Sequence, residues 1–322
     1  MTITRRQHYV WRHYLTAWAT GKTVRALAKD GRAFATNPIN LAVARDFYRL
    51  PVLTAEDEQF ISYFLDHSGS PAHIVQLNRE SFMLYAMASR VRREMGDALQ
   101  QHPELAEALE TAEIQAEESF HAGVETDAMP LLDQLRQGSS AFWQAEDDAL
   151  TFSFFISLQH LRTKRMQSVY VAKFPEKTRG LAERTWPLLR MFSATGMGWS
   201  LWRQRAEFTF AFVTAPPGAE FITSDQPARN LVPPTGHNDL ALFYPVSPDR
   251  AVIFKHPGAP ATFDSRQLTA DEVADLNAQT YAYALETVFG RLAAALDAAR
   301  ARAEKLPADD AGTPPKPVPD QK

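Results

Sequence analysis

The chain has 322 residues, 45% of them hydrophobic and 22% charged, with a formal net charge of −4. That is globular composition at a length that fits one large domain or two small ones, and it is not a polycation built for nucleic acid. There is no cysteine, which excludes a disulfide scaffold, a zinc-thiolate site, an iron–sulfur cluster and a cysteine nucleophile.

The opening MTITRRQHYVWRHYL has no apolar run after its arginines, so no secretory signal is expected. Trp11, Tyr14, Leu15 and Trp18 recur at helical spacing, which predicts a short helix or turn over 8–19. Asp30-Gly31 between two short runs predicts a hairpin, because this pair tolerates the positive φ angles of a tight turn. Asn37-Pro38 breaks the chain, and a short helix is expected over 39–49. Thr54 with Asp57 reads as an N-cap with an acidic first turn. Helices are predicted over 54–67, 71–97, 103–120, 122–137, 145–173 and 177–205, the last with possible breaks at Pro187 or at Gly196/Gly198. ALTFSFFISLQHL, within 145–173, is apolar nearly all round and should be buried.

The texture then changes. EFTFAFVTA, AEFITSD, DLALFYPVS and RAVIFK are short, rich in β-branched and aromatic residues, and bounded by turn formers, as antiparallel strands are. Thr269 and Glu272 form a capping box that opens a last helix over about 270–304. Residues 306–322 are proline-rich and are expected to be a disordered tail. The expected architecture is a single α+β domain over 1–305: a mainly helical body with an N-terminal β-hairpin, a small antiparallel sheet at about 208–255 and a closing C-terminal helix. No stretch reaches the roughly 18 apolar residues that a membrane span needs, and a cytoplasmic protein is expected.

Charge is unevenly placed. Residues 1–50 carry nine Lys/Arg against two Asp/Glu, residues 51–150 five against nineteen, and residues 151–210 ten against three. Two readings follow: acidic helices that pair with basic ones or face solvent, or a basic surface for an anionic ligand.

The common catalytic motifs are missing: there is no phosphate-binding GxxxxGK[ST] loop, no GxGxxG fingerprint at Gly196-Met197-Gly198, no HExxH and no GxSxG. Glu118 and His121 have the ExxH spacing of di-metal bundles, but those sites need two such motifs. A solvated or capping pair is the better reading, and no metal ligand is assigned. More informative is the buried helix, where Gln159 and Arg162 continue the stripe of Phe152, Phe155 and Ile156, with Arg165 beyond them. A buried guanidinium must be paired, either with structural carbonyls and a carboxylate or with an anionic ligand. His8 with Arg12, and the polar turn Thr223-Ser224-Asp225-Gln226-Pro227 after a strand, are clusters that could face it.

Gln7-His8-Tyr9-Val10, Tyr14-Leu15, the Asp30-Gly31 hairpin, Asn40, Asp46-Phe47-Tyr48, Gln159 with Arg162-Thr163, the turn at 222–227, Pro245-Val246-Ser247-Pro248 and Leu276-Asn277 together resemble the bacterial domain of unknown function 4238 family over about residues 7–290. That family typically opens His-Tyr-Val-Pro; Trp11 stands here in place of the proline and would let the first helix start earlier. The resemblance implies a cytosolic α+β protein without naming a reaction. Its recurring polar positions fall on His8, Gln159, Arg162 and Asp225, with Asn40 and Asn277.

Two functions are weighed. In the first, the chain is a ligand-binding or sensor module whose polar residues form a buried site. In the alternative, it is an enzyme on a phosphate-bearing substrate, a nucleotide or nucleic acid, with a defence-type nuclease as one version. There His8 is the acid or base, Arg162 and Arg165 hold phosphoryl charge, Asp225 orients His8 or binds a divalent ion, Gln159 positions substrate or water, and Arg12, Asn40 and Asn277 bind substrate. The expected partner is a small anionic ligand or nucleic acid, and no cofactor is named.

Overall fold

The computed structural model describes residues 4–232, 240–259 and 263–306; the expected tail at 306–322 falls outside these save for Leu306. The chain is mixed α+β. It opens with β1 (Arg6–His8) and α1 (Arg12–Leu15), followed by the hairpin β2 (Val24–Ala28) and β3 (Ala33–Thr36), then β4 (Val43–Arg45). The helical body follows: α2 (Ala55–Asp66), α3 (Ala72–Met95), α4 (Pro103–Gln137), α5 (Glu146–Leu161), α6 (Lys164–Val171) and α7 (Arg179–Arg203). The rest is β5 (Thr209–Thr214), β6 (Thr223–Ser224), β7 (Arg229–Asn230), β8 (Ala241–Ser247), β9 (Arg250–Lys255), β10 (Arg266–Gln267), α8 (Ala270–Tyr283), β11 (Thr287–Gly290) and α9 (Ala293–Ala303).

Local rules place several boundaries. Thr54 and Thr269 each accept the N–H three residues on, while Asp57 and Glu272 reach back to the cap N–H. Both capping boxes satisfy helix-end donors that would otherwise be unpaired. Gly31 sits at φ +90° in the hairpin turn, as the Asp-Gly pair predicts.

Several expectations are corrected. Residues 39–49 are not a helix: left-handed backbone at Ala42 (φ 48°) and Asp46 (φ 51°) brackets β4, which pairs antiparallel with β1. The break expected near 121 is absent, and α4 runs 35 residues, passing through Gly123 and Pro130. The helix expected over 145–173 is two helices. It stops at Leu161, and the Thr163 hydroxyl caps α6 by accepting the Met166 N–H. Conversely, α7 passes unbroken through Pro187 and both glycines. Gly198 is needed there: a Cβ would meet the Phe154 Cα at 2.9 Å, where α5 and α7 cross. Finally, β11 interrupts the expected last helix and joins the N-terminal hairpin in one sheet ordered β3-β2-β11-β6. The second large sheet, β10-β5-β9-β8-β7, contains three of the four strands predicted over 208–255; the fourth, AEFITSD, supplies β6 of the first sheet, and β10 adds to β5 in parallel.

The main core lies between this second sheet and the helices. Phe152, Phe155 and Ile156 of α5 pack with Trp18, Leu135, Phe142, Tyr244 and Phe254. Trp11 has φ −57°, a value proline would also give, so the first helix begins at Arg12 and not earlier. The strand β1 is held by Gln7, which is wholly buried. Its amide donates to the Ile114 carbonyl of α4 at 2.8 Å and accepts the Tyr48 N–H at 2.7 Å. That clamp lays the N-terminal segment across the middle of α4.

Candidate functional site

A cleft of about 180 Å³ lies between the N-terminal segment and α4. His8, Trp11 and Arg12 form one side, Glu118, His121 and Glu125 the other, and Tyr48 closes it. The Tyr48 hydroxyl donates to the His8 carbonyl at 2.9 Å and so fixes where the imidazole begins. The His8 Nε2 is buried and has no hydrogen-bond partner among the described residues. Burial pushes the His8 pKa down, the nearby Arg12 adds to this, and the carbonyls of Ile39 and Pro38 oppose it. The ring is therefore neutral at pH 7. Arg12 is exposed and has no ion-pair partner among the described residues.

Helix α4 supplies the acidic side through one-turn spacing: Glu117, His121 and Glu125 share a face, with Glu118 beside them. Burial pushes the Glu118 carboxyl up to about 7, with Glu125 adding to the effect and Arg162 resisting it. Its side chain makes no hydrogen bond among the described residues. Glu125 accepts from the Arg162 Nη2 at 2.6 Å. The same nitrogen reaches the Gln159 Oε1 at 3.1 Å. Arg162 is 1% exposed. Burial alone would lower its pKa, but Tyr48 and Glu125 outweigh this and hold it charged.

Behind the cleft, Glu117 accepts from Arg190 at 2.7 and 3.1 Å and lies 3.2 Å from the His121 Nε2. Burial would raise the Glu117 carboxyl, but Arg190 and His121 hold it below the ordinary value. Because Arg190 already neutralises Glu117, His121 has no need of a proton, and burial lowers its pKa to about 4. The His121 ring lies 4.3 Å from the Tyr48 ring. The solvated or capping reading of the Glu118/His121 pair is thereby corrected: His121 is 3% exposed and binds Glu117. Among the described residues no group of three or more His, Asp or Glu is placed to hold a metal ion.

The other sequence candidates lie elsewhere. The Asp225 carboxylate accepts the backbone N–H groups of Leu285, Glu286 and Thr287, which form the turn from α8 into β11. Asn277 accepts the Ile222 N–H at 3.0 Å and donates to the Glu220 carbonyl at 2.7 Å. Asn40 is exposed and bridges Arg6 and Thr36. Arg165 lies beyond the helix break and covers the Tyr283 ring, with its guanidinium 4.1 Å from the centroid. Thus His8 and Arg12 share the cleft, Arg162 and Gln159 stand behind Glu125, and Asp225, Asn277, Asn40 and Arg165 are outside it.

Sequence reasoning missed Glu117, Glu125 and Arg190, and it named Gln7 and Tyr48 only as part of the resemblance, with no role. A signal for the first two was present: 117, 121 and 125 continue the buried positions Ile114, Ala128 and Leu132 at helical spacing. The uneven charge blocks also resolve. Arg5 pairs with Asp46 and Glu110, Arg49 with Glu113, and Arg184 with Asp57, so basic and acidic segments complement one another.

The model of the family described as Protein of unknown function (DUF4238) matches residues 6–293 of the 322. The chain belongs to the DUF4238 family. The matched span holds every residue of the cleft and all three sheets of this DUF4238 protein. No curated protein and no solved structure matches the chain. No helix of the described residues is long and apolar enough to cross a membrane.

Proposed function

We propose that this protein is a ligand-binding or sensor module that takes a small polar molecule into the cleft between His8 and α4. One observation carries this reading: His8, Arg12 and Glu118 line one cleft, where the His8 Nε2 is buried without a partner and the Arg12 and Glu118 side chains make no hydrogen bond among the described residues. Buried polar groups ordinarily find partners, and a ligand supplies the missing ones. Arg12 suits an anionic group, and protonated or ionised Glu118 suits a donor or acceptor beside it. At about 180 Å³ the cleft takes a small molecule and not a nucleic-acid strand.

The test is a thermal-shift screen with amino acids, small carboxylates, phosphates and sugars. A ligand at a hundred times its Kd should stabilise the wild type by roughly 2.7 kcal/mol. The rise should vanish in Arg12→Gln and His8→Ala, while both unliganded variants melt near the wild type. A panel without effect, or a rise kept by both variants, would remove the cleft as a ligand site.

The alternative, an enzyme on a phosphate-bearing substrate, is favoured by Glu118 alone. A carboxyl near pH 7 is suited to proton transfer at neutral pH. On that reading Glu118 and neutral His8 are the acid and base, and Arg12 receives the phosphoryl group.

A further inference from the structure

A second, larger cleft of about 630 Å³ lies between the α2–α3 connection and α7. We infer that it is a binding site for a planar heteroaromatic ligand bearing an anionic group, of the size class of a nucleoside monophosphate. The observation that points to a ligand is Asn78. It lines the cleft, is 5% exposed, and its amide has no hydrogen-bond partner among the described residues. The side chain is thus enclosed by protein except where its amide opens on the cleft, and its donor and acceptor together match the edge of a ring that offers both.

The remaining walls supply the other two requirements. Phe64, Phe192 and Trp199 line the same space, and aromatic faces favour stacking with a planar ring. Arg203 stands at the rim, exposed and without an ion pair among the described residues. No acidic residue lines the cleft, so its charge selects an anion. The N-terminal end of the 24-residue helix α3 opens on the same space, and Pro71 gives it no side-chain cap, so its first N–H groups favour an anion too. Gly196 lies close to Ser70 across the cleft: a Cβ there would meet the Ser70 Oγ at 2.9 Å, so a side chain at this position would crowd the space. The volume lies within the usual range for small-molecule sites.

Calorimetric titration with AMP and with GMP tests this, with adenosine and inorganic phosphate as controls. Saturable binding of at least one nucleotide is expected. Asn78→Leu, which removes the amide at similar volume, should leave the melting temperature unchanged and weaken the nucleotide about tenfold, or roughly 1.4 kcal/mol. Arg203→Gln should weaken AMP or GMP toward the level of adenosine. Gly196→Leu, which fills the space, should abolish binding in a protein that still melts cooperatively. The inference is overturned if neither nucleotide binds at millimolar concentration, or if binding survives all three substitutions. It is equally overturned if binding is lost in His8→Ala and Arg12→Gln instead, since that would assign the nucleotide to the other cleft.

Discussion

The Asp225–Asn277 region and the His8–Glu118 cleft are built from the same kinds of residue and differ in where their hydrogen bonds go. Around Asp225 the side chains are used up, mostly by backbone. Asp225 takes three N–H groups, Asn277 takes one and gives one, and the Gln226 amide donates to the carbonyls of His160 and Ala228. Around His8 the buried Nε2, the His121 Nδ1 and the Glu117 Oε2 are left over, and Glu118 makes no bond at all among the described residues. Spent polar groups hold a turn or a strand in place. Unspent ones are the places where a ligand has something to gain.

The largest expected effect belongs to the spent region. Asp225→Ala strands three backbone donors in a buried turn, which should cost about 4 kcal/mol. Urea unfolding measures it. Wild-type stability in this variant would erase the contrast between the two regions, because Asp225 would then not be structural. Next comes Arg162→Met, at roughly 3 kcal/mol, since it removes the counter-charge of Glu125 and the donor to Gln159. A cost near zero would mean that Glu125 is solvated as soon as Arg162 leaves, and that Arg162 belongs to the cleft and not to its wall.

What was legible in the sequence follows the same division between local and distant causes. The hairpin and both capping boxes are decided within four residues, and the structure has them where the residues say. β11 was not legible, because TVFG is a strand only through its pairing with β2 on one side and β6 on the other. Arg162 was read as buried and paired, and it is; its carboxylate, Glu125, sits 37 residues away on a helix rich enough in acid to read as solvated. Polar positions such as Asp225 and Asn277 stood out as residues, but a residue type does not say whether its partner is a substrate or a backbone N–H.

pH separates the regions further. His121 is held neutral, with its folded pKa near 4 against an ordinary 6.5. Between these values the unfolded chain binds the extra proton, so stability present above pH 6.5 is lost as pH falls toward 4. The loss is bounded at about 3 kcal/mol. His121→Gln should flatten this acid limb in pH-dependent denaturation, and an unchanged limb would show that His121 is protonated in the folded state.

The smallest effect has the opposite sign and reads the cleft most directly. Glu118 is raised from 4.5 to about 7, so the folded chain holds its proton more tightly than the unfolded chain does. Stability from this group is complete below pH 4.5 and declines as pH rises through 7. Its partial exposure allows water to screen the ionised form, so the decline is shallow. Glu118→Gln cannot ionise and should melt slightly above the wild type at pH 8 while matching it near pH 4.5. Such a gain is the expected signature of a group whose placement costs the folded chain stability. If the variant instead melts lower at both pH values, Glu118 is a structural acceptor like Asp225, and the difference between the two regions is one of position and not of kind.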